Sequence, residues 1–229
     1  MTAPADLEHA RFNMIEQQIR PWDVLDLQIL ELLSVVRRED FCPLAHKALA
    51  FVDMQVPLRD PAEQALQRGQ CMLEPKVEAR LLQDLHVGPQ DKVLEVGTGS
   101  GYMAALLAHR AQRVVTLEID AELARIARAN LQRAGITNAE VREADGSRGL
   151  PAEAPFDVIV LSGSVADVPQ ALLAQLKVGG RLAAIVGAEP VMRATLVTRT
   201  GEASFNTVQP WDTLAPRLAN FPEPSRFQF

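Results

Sequence analysis

Glu95, Gly97, Gly99 and Gly101 alternate along Val93-Leu94-Glu95-Val96-Gly97-Thr98-Gly99-Ser100-Gly101-Tyr102, between a short apolar run and a stretch rich in alanine and leucine. Glycines at this spacing let the backbone turn with positive φ and let another molecule approach N–H groups with no Cβ in the way. The helix that follows offers partial positive charge at its first turn. The chemistry is ligand binding at a strand-to-helix loop. A dinucleotide fingerprint runs G-x-G-x-x-G, which would put its third glycine at position 102; Tyr102 stands there, and Gly101 comes one residue early. Glu118 lies 23 residues past Glu95, at the end of the β-branched run 113–117. A carboxylate at the end of the second strand of such a unit accepts hydrogen bonds from both ribose hydroxyls of a nucleoside ligand. The plainer role of an acidic residue here, capping the next helix, is assigned to Asp120.

These residues need a frame that brings strand ends together. From Lys92 onward the pattern alternates: a strand at 93–96, the glycine loop, a helix at 102–111, a strand at 113–117, and a helix from Ala121 through Leu131. Further strands are expected near 140–142, 156–161 and 181–186, with a helix near 169–176 and a turn at 177–180. Strands alternating with helices imply a parallel sheet covered on both faces, with ligands at the C-terminal strand ends. Residues 194–208, with Thr200-Gly201 at their middle, read as an antiparallel hairpin at the sheet edge. Before this core, Phe12, Ile15 and Ile19 share a helical face that Pro21 stops, and Asp26 caps a second helix carrying Leu30, Leu33 and Val36. Residues 51–74 read as irregular, and Pro75 opens a helix with Val77, Leu81, Leu82 and Leu85 on its apolar side. The division expected is an N-terminal helical extension with a substrate-side loop over 1–74 and an α/β core over 75–229.

Composition narrows the function. The 229 residues are 48% hydrophobic and 23% charged, which suits a globular chain with one substantial core. A net charge of −6 argues against a nucleic-acid partner, because phosphate binding needs clustered basic surface. No run approaches the roughly 18 apolar residues that span a bilayer, and the first residues lack the apolar core of a signal peptide. A cytoplasmic protein is expected. Cys42 and Cys71 are too few for a disulfide framework or a zinc site.

The Glu-x-Gly-x-Gly-x-Gly order of the loop resembles the first motif of Rossmann-like methyltransferases that use S-adenosylmethionine. More narrowly, Pro57-Leu58, Gly69-Gln70, Pro75-Lys76-Val77, the loop 93–102, Asp145-Gly146, Ala154-Pro155-Phe156-Asp157 and Leu176-Lys177-Val178-Gly179-Gly180 stand in the order and spacing of protein-L-isoaspartate O-methyltransferases, over roughly residues 10–190. The resemblance implies a Rossmann-like α/β fold with an N-terminal helical extension. It implies a protein or peptide substrate, methylated by S-adenosylmethionine on the α-carboxylate of isoaspartyl residues. It also implies that Glu95, Gly97, Thr98, Gly99 and Gly101 form the cofactor loop, that Glu118 and Ile119 meet the ribose, and that Asp145 and Gly146 lie at the adenine.

The chain departs from that family on the acceptor side. Where the family has Gly-Gln-Thr-Ile-Ser, with the serine hydroxyl facing the carboxylate, this chain has Gly69-Gln70-Cys71-Met72-Leu73. Leu73 donates no hydrogen bond and Cys71 is a weak donor. Where the family has Thr-Ala-Ala-Ala-Pro, this chain has Ser162-Gly163-Ser164-Val165-Ala166. Cys71, Leu73 and Ser162 are therefore the acceptor-side positions to watch, and Ser162 or Ser164 could restore the missing hydroxyl. Two alternatives stand beside isoaspartyl methylation: a methyltransferase acting on a more apolar small molecule, and a non-catalytic module that binds S-adenosylmethionine. A carboxylate acceptor is already ionised at neutral pH, so no histidine needs a catalytic role.

Overall fold

The structure is a computed structural model that describes residues 4–223; the outermost ends of the expected 1–74 and 75–229 segments lie outside the described residues. Its centre is a seven-stranded sheet in the order β5-β4-β3-β6-β7-β8-β9. The strands are β3 (Lys92–Val96), β4 (Arg113–Glu118), β5 (Ala139–Glu143), β6 (Phe156–Val165), β7 (Leu176–Ala188), β8 (Val191–Arg199) and β9 (Phe205–Thr213). The first five are parallel to one another, and β8 and β9 add antiparallel at the edge. Val93, Leu94 and Val96 of β3 are buried, as a strand covered on both faces requires. Strand order reverses between β3 and β6, and open α/β sheets bind ligands at such a switch point. Val96 is in register with Leu117 on one side and Leu161 on the other, so the glycine loop, Glu118 and Ser162 emerge side by side.

Helices α5 (Tyr102–Arg110) and α6 (Ala121–Arg133) follow β3 and β4. Asp120 caps α6 as expected, its side chain accepting from the N–H groups of Glu122 and Leu123. Helix α4 (Pro75–Leu85) starts at its proline and buries Val77, Leu81, Leu82 and Leu85. The Asp26 cap is also present: its carboxylate accepts from Gln28 N at 2.8 Å and opens α2 (Leu27–Val35).

Five local expectations need correction. Phe12 is 59% exposed, because α1 (Pro4–Met14) gives way to a wide turn over Ile15–Ile19 that buries Ile15 and Ile19 and leaves Phe12 on the outer side. Pro21 sits within a tight turn, Arg20–Trp22, and the chain leaves helical geometry at Asp23, whose φ is 66°. The segment 51–74 is not wholly irregular: β1 (Val56–Pro57) pairs antiparallel with β2 (Cys71–Met72) around α3 (Ala62–Gln67). Residues 177–180 are a bulge inside β7 rather than a separating turn, since β6 pairs with Leu176 and then next with Arg181. The helix expected near 169–176 is the single turn α7, Gln170–Leu173.

The N-terminal segments are locked to the core through buried charge. Arg38 is fully buried, pairs with Glu78 of α4, donates to the Leu73 carbonyl at 2.6 Å and lies 5.2 Å from the centre of the Tyr102 ring. One guanidinium thus ties the extension to α4, to the segment carrying Leu73 and to the first residue of α5. Arg11 and Glu39 form a second buried pair nearby. Among the described residues no helix is long and apolar enough to cross a membrane.

Candidate active site

At the C-terminal ends of β3, β4 and β6 lies a cavity of about 330 Å3. Gly97, Gly99, Glu118, Ile119, Asp145, Gly146 and Ser162 line it, together with Cys71. That volume falls within the range of small-molecule sites. Gly97 and Gly99 have φ of 94° and 53°, and a Cβ on Gly97 would come within 3.3 Å of the Ser162 carbonyl oxygen. The loop therefore needs glycine both for its turn and for the closeness of β6. Glu118 is 6% exposed and accepts from Gly99 N at 2.8 Å and from Asp120 N at 3.0 Å. Burial pushes its carboxyl upward, while those backbone donors pull it back. Asp145 is shaped by Ser147 N and by the Asn220 amide, which donates to it at 2.9 Å, and it is held below the usual carboxylate range.

Not every residue of the loop faces this cavity. Gly101 packs against Ala127 of α6, where a Cβ would meet that residue's backbone and side chain at 3.4 Å, so it sets helix packing. Glu95 and Thr98 are also absent from the large cavity's lining. They line a smaller recess of about 20 Å3 with Met72, Leu73, Glu78, Ser100 and Met103. The recess shares Cys71, Gly97, Gly99 and Ser162 with the large cavity, so the two adjoin across Ser162 and the glycine loop.

Glu95 is fully buried at the end of β3. Its carboxyl oxygens meet the hydroxyls of Thr116 and Ser162, each at 2.7 Å, and Thr116 Oγ1 lies 2.6 Å from Thr98 Oγ1. Burial pushes the Glu95 carboxyl up to about 8, against the lowering effect of the two hydroxyls. Cys71 is a half-buried thiol 3.6 Å from Gln55 Oε1, and burial with nearby Glu74 and Glu78 pushes it up to about 12. It is no nucleophile at neutral pH. Ser164 is buried, and its hydroxyl donates to the Ala215 carbonyl at 2.8 Å. Of the two serines that could replace a missing hydroxyl, Ser162 reaches both cavities and Ser164 reaches neither.

The sequence reading missed one wall. Arg217, Leu218, Ala219 and Phe221 line the large cavity from a segment that follows β9. Ser164 N donates to the Pro216 carbonyl at 2.7 Å and Leu218 N to the Ser164 carbonyl at 2.9 Å, so this strap runs along the end of β6. Leu218 then covers Gly97 and Gly163, where added Cβ atoms would come within 2.9 and 2.8 Å of its side chain. Arg68 and Gln70 complete the other rim, and Gln70 donates to Asp120 at 3.1 Å. An aperiodic strap carries no hydrophobic pattern, and its place follows only from the β6 pairing.

With this geometry in hand, comparison with known proteins is direct. The family model described as protein-L-isoaspartate(D-aspartate) O-methyltransferase matches residues 10–212. A protein-L-isoaspartate O-methyltransferase of Koribacter versatilis (strain Ellin345) is 41% identical over 189 residues, covering 82% of this chain and 81% of its own. One from Rhodopseudomonas palustris (strain ATCC BAA-98 / CGA009) is 41% identical over 193 residues, covering 84% and 85%. Among solved structures, a protein-L-isoaspartate O-methyltransferase superposes with a TM-score of 0.77 at 24% identity, covering 92% of this chain and 66% of the other. A Plasmodium falciparum beta-aspartate methyltransferase in complex with S-adenosyl-L-homocysteine superposes with a TM-score of 0.74 at 16% identity, covering 90% and 96%. These two structures bear on the fold.

Proposed function

This chain belongs to the protein-L-isoaspartate O-methyltransferase family, and from that premise we propose that it transfers a methyl group from S-adenosylmethionine to the α-carboxylate of L-isoaspartyl residues in proteins or peptides. The observation that carries the reading is the meeting of Gly97, Gly99 and Glu118 on a cavity that continues past Ser162 into a second, acceptor-side recess. The residues suit the cofactor. The loop gives backbone approach, Glu118 keeps acceptor capacity beyond its backbone bonds, and Asp145 with Gly146 bounds the far end.

S-adenosylmethionine, when bound, supplies an electrophilic methyl group on a sulfonium. The protein's own work is binding, alignment and exclusion of water. Glu118 holds the ribose hydroxyls, Ile119 and Leu218 cover apolar surface, and the strap at 214–221 closes one side against solvent. The acceptor carboxylate is ionised at neutral pH and attacks without a general base, so alignment supplies most of the acceleration. In this division, the N-terminal segment brings Cys71 to Leu73 to the acceptor side, and the α/β core holds the cofactor and adds Ser162 to the acceptor side. Two thiols with no disulfide fit a cytoplasmic location. The test is methyl transfer from labelled S-adenosylmethionine to an isoaspartyl peptide, with a panel of apolar small carboxylates and phenols alongside. Transfer to the peptide supports the assignment; transfer confined to the small molecules would replace it.

A further inference from the structure

We infer that Ser162 is the hydroxyl that orients the acceptor carboxylate, held for that task by Glu95, and that it takes the place of a donor at position 73; this rests on the isoaspartyl reading above. The recess has room for about one oxygen-sized group, and it is the volume next to the cavity in which a carboxylate oxygen could be seated. Its polar lining narrows the choice. Thr98 is committed to Thr116 at 2.6 Å. Ser100 accepts from Tyr102 N at 3.3 Å and lines the recess but not the large cavity. Cys71 is a weak donor beside Gln55. Leu73, Met72 and Met103 offer no strong donor. Ser162 alone among these hydroxyls borders both volumes.

Glu95 decides what Ser162 can offer. The Ser162 hydroxyl donates to Glu95 Oε1; a neutral Glu95 carrying its proton on that oxygen reverses this bond and donates to Ser162 Oγ, while its other oxygen keeps accepting from Thr116. The serine hydroxyl is then free to donate into the recess, toward an anionic acceptor. An ionised Glu95 can only accept, so the Ser162 proton turns back to it and the serine presents lone pairs to the acceptor, which repel it. The titratable groups facing Glu95 are Glu78 from α4, whose own partner is Arg38, Glu118 from β4 and the Cys71 thiol from β2. Both carboxyls favour the neutral form of Glu95. Ser162 is thus a catalytic residue that touches substrate, and Glu95 a positioning residue that acts through it.

The test measures binding of an isoaspartyl peptide to the S-adenosylhomocysteine complex, together with kcat/KM, from pH 6.5 to 9.5 (a window of about 1.5 units on either side of the Glu95 value). In the parent, peptide affinity is expected to fall as pH rises through about 8. Ser162→Ala is expected to weaken peptide binding and kcat/KM by about 10- to 100-fold at pH 7, and Ser162→Thr to retain them. Glu95→Gln, which donates to Ser162 at every pH, is expected to abolish the alkaline fall. Leu73→Ser placed in the Ser162→Ala background is expected to recover activity. Affinity for S-adenosylhomocysteine should stay unchanged throughout. An active parent whose Ser162→Ala variant binds peptide normally, or loses S-adenosylhomocysteine instead, overturns this inference alone. A parent that neither binds nor methylates any isoaspartyl peptide overturns the functional reading beneath it.

Discussion

Replacing Glu118 with glutamine exchanges one carboxylate oxygen at the end of β4 for an NH2 group and isolates what its charge contributes to cofactor binding. The ionised carboxylate has about four acceptor sites, of which Gly99 N and Asp120 N occupy one on each oxygen. The capacity left on the carboxylate borders the cavity that Glu118 lines, and under the proposed function it accepts from ribose hydroxyls. Glutamine keeps one acceptor oxygen and turns the other into an NH2 group that opposes a backbone donor and cannot accept from a hydroxyl. At least one hydrogen bond to a charged group is lost, about 1.5–3 kcal/mol, or about 10- to 150-fold in Kd. Calorimetric titration with S-adenosylhomocysteine measures this, with thermal unfolding of the unliganded variant as the check on folding. An analogue lacking both ribose hydroxyls should bind parent and variant equally. A folded variant whose Kd for S-adenosylhomocysteine stays within about twofold of the parent's would refute the ribose role and leave Glu118 as a clamp on the glycine loop.

Three further outcomes follow from the same geometry. Gly99→Val should abolish S-adenosylhomocysteine binding in calorimetry, because a branched side chain at φ 53° strains the loop that lines the cavity, and its Cβ would lie 3.4 Å from the Leu58 side chain and 3.7 Å from the Cys71 carbonyl. Arg38→Met should destabilise the protein by about 3–5 kcal/mol in urea unfolding, since it leaves Glu78 buried without its partner. The third concerns pH: Glu95 is raised in the folded protein from 4.5 to about 8. A raised acid binds more protons folded than unfolded, so its contribution is complete below about pH 4.5 and is lost as pH rises through about 8. Stability measured by denaturant should therefore decline across that window, and Glu95→Gln should flatten the decline; an unchanged slope in the variant would show that other groups cause it.

That Gly97, Gly99 and Glu118 share one cavity was legible because local rules and the fold agree there. Glycines at 97 and 99 are required by positive φ and close approach, and Glu118 stands at a strand end whose position follows from two regular βα units. Asp120 as a helix cap follows from the same reasoning. Gly101 fits the motif but serves packing on Ala127, a contact that depends on where α6 lies and not on spacing along the chain. The recess was legible in part. Leu73 and Ser162 stand out in the sequence as departures from the family pattern, yet the link between Ser162 and Glu95 joins residues 67 apart and needs the β3–β6 register to become visible. The strap through Leu218 was invisible, since an irregular segment gains its place from two hydrogen bonds to Ser164 and has no period of its own. Phe12 was misplaced for a related reason: a wide turn at Ile15–Ile19 shifts the helical phase that the apolar spacing assumes.

A competition between two peptides that differ only in an isoaspartyl or ordinary aspartyl linkage tests methylation of an isoaspartyl carboxylate most directly. Equal concentrations of an isoaspartyl peptide and its ordinary aspartyl counterpart are incubated with the protein and labelled S-adenosylmethionine at pH 7, and the methyl ester on each is quantified. The expected result is ester on the isoaspartyl peptide, none on the aspartyl peptide, and stoichiometric release of S-adenosylhomocysteine. Binding of S-adenosylmethionine with no ester on either peptide would contradict isoaspartyl methylation and leave a cofactor-binding protein with a different acceptor or none.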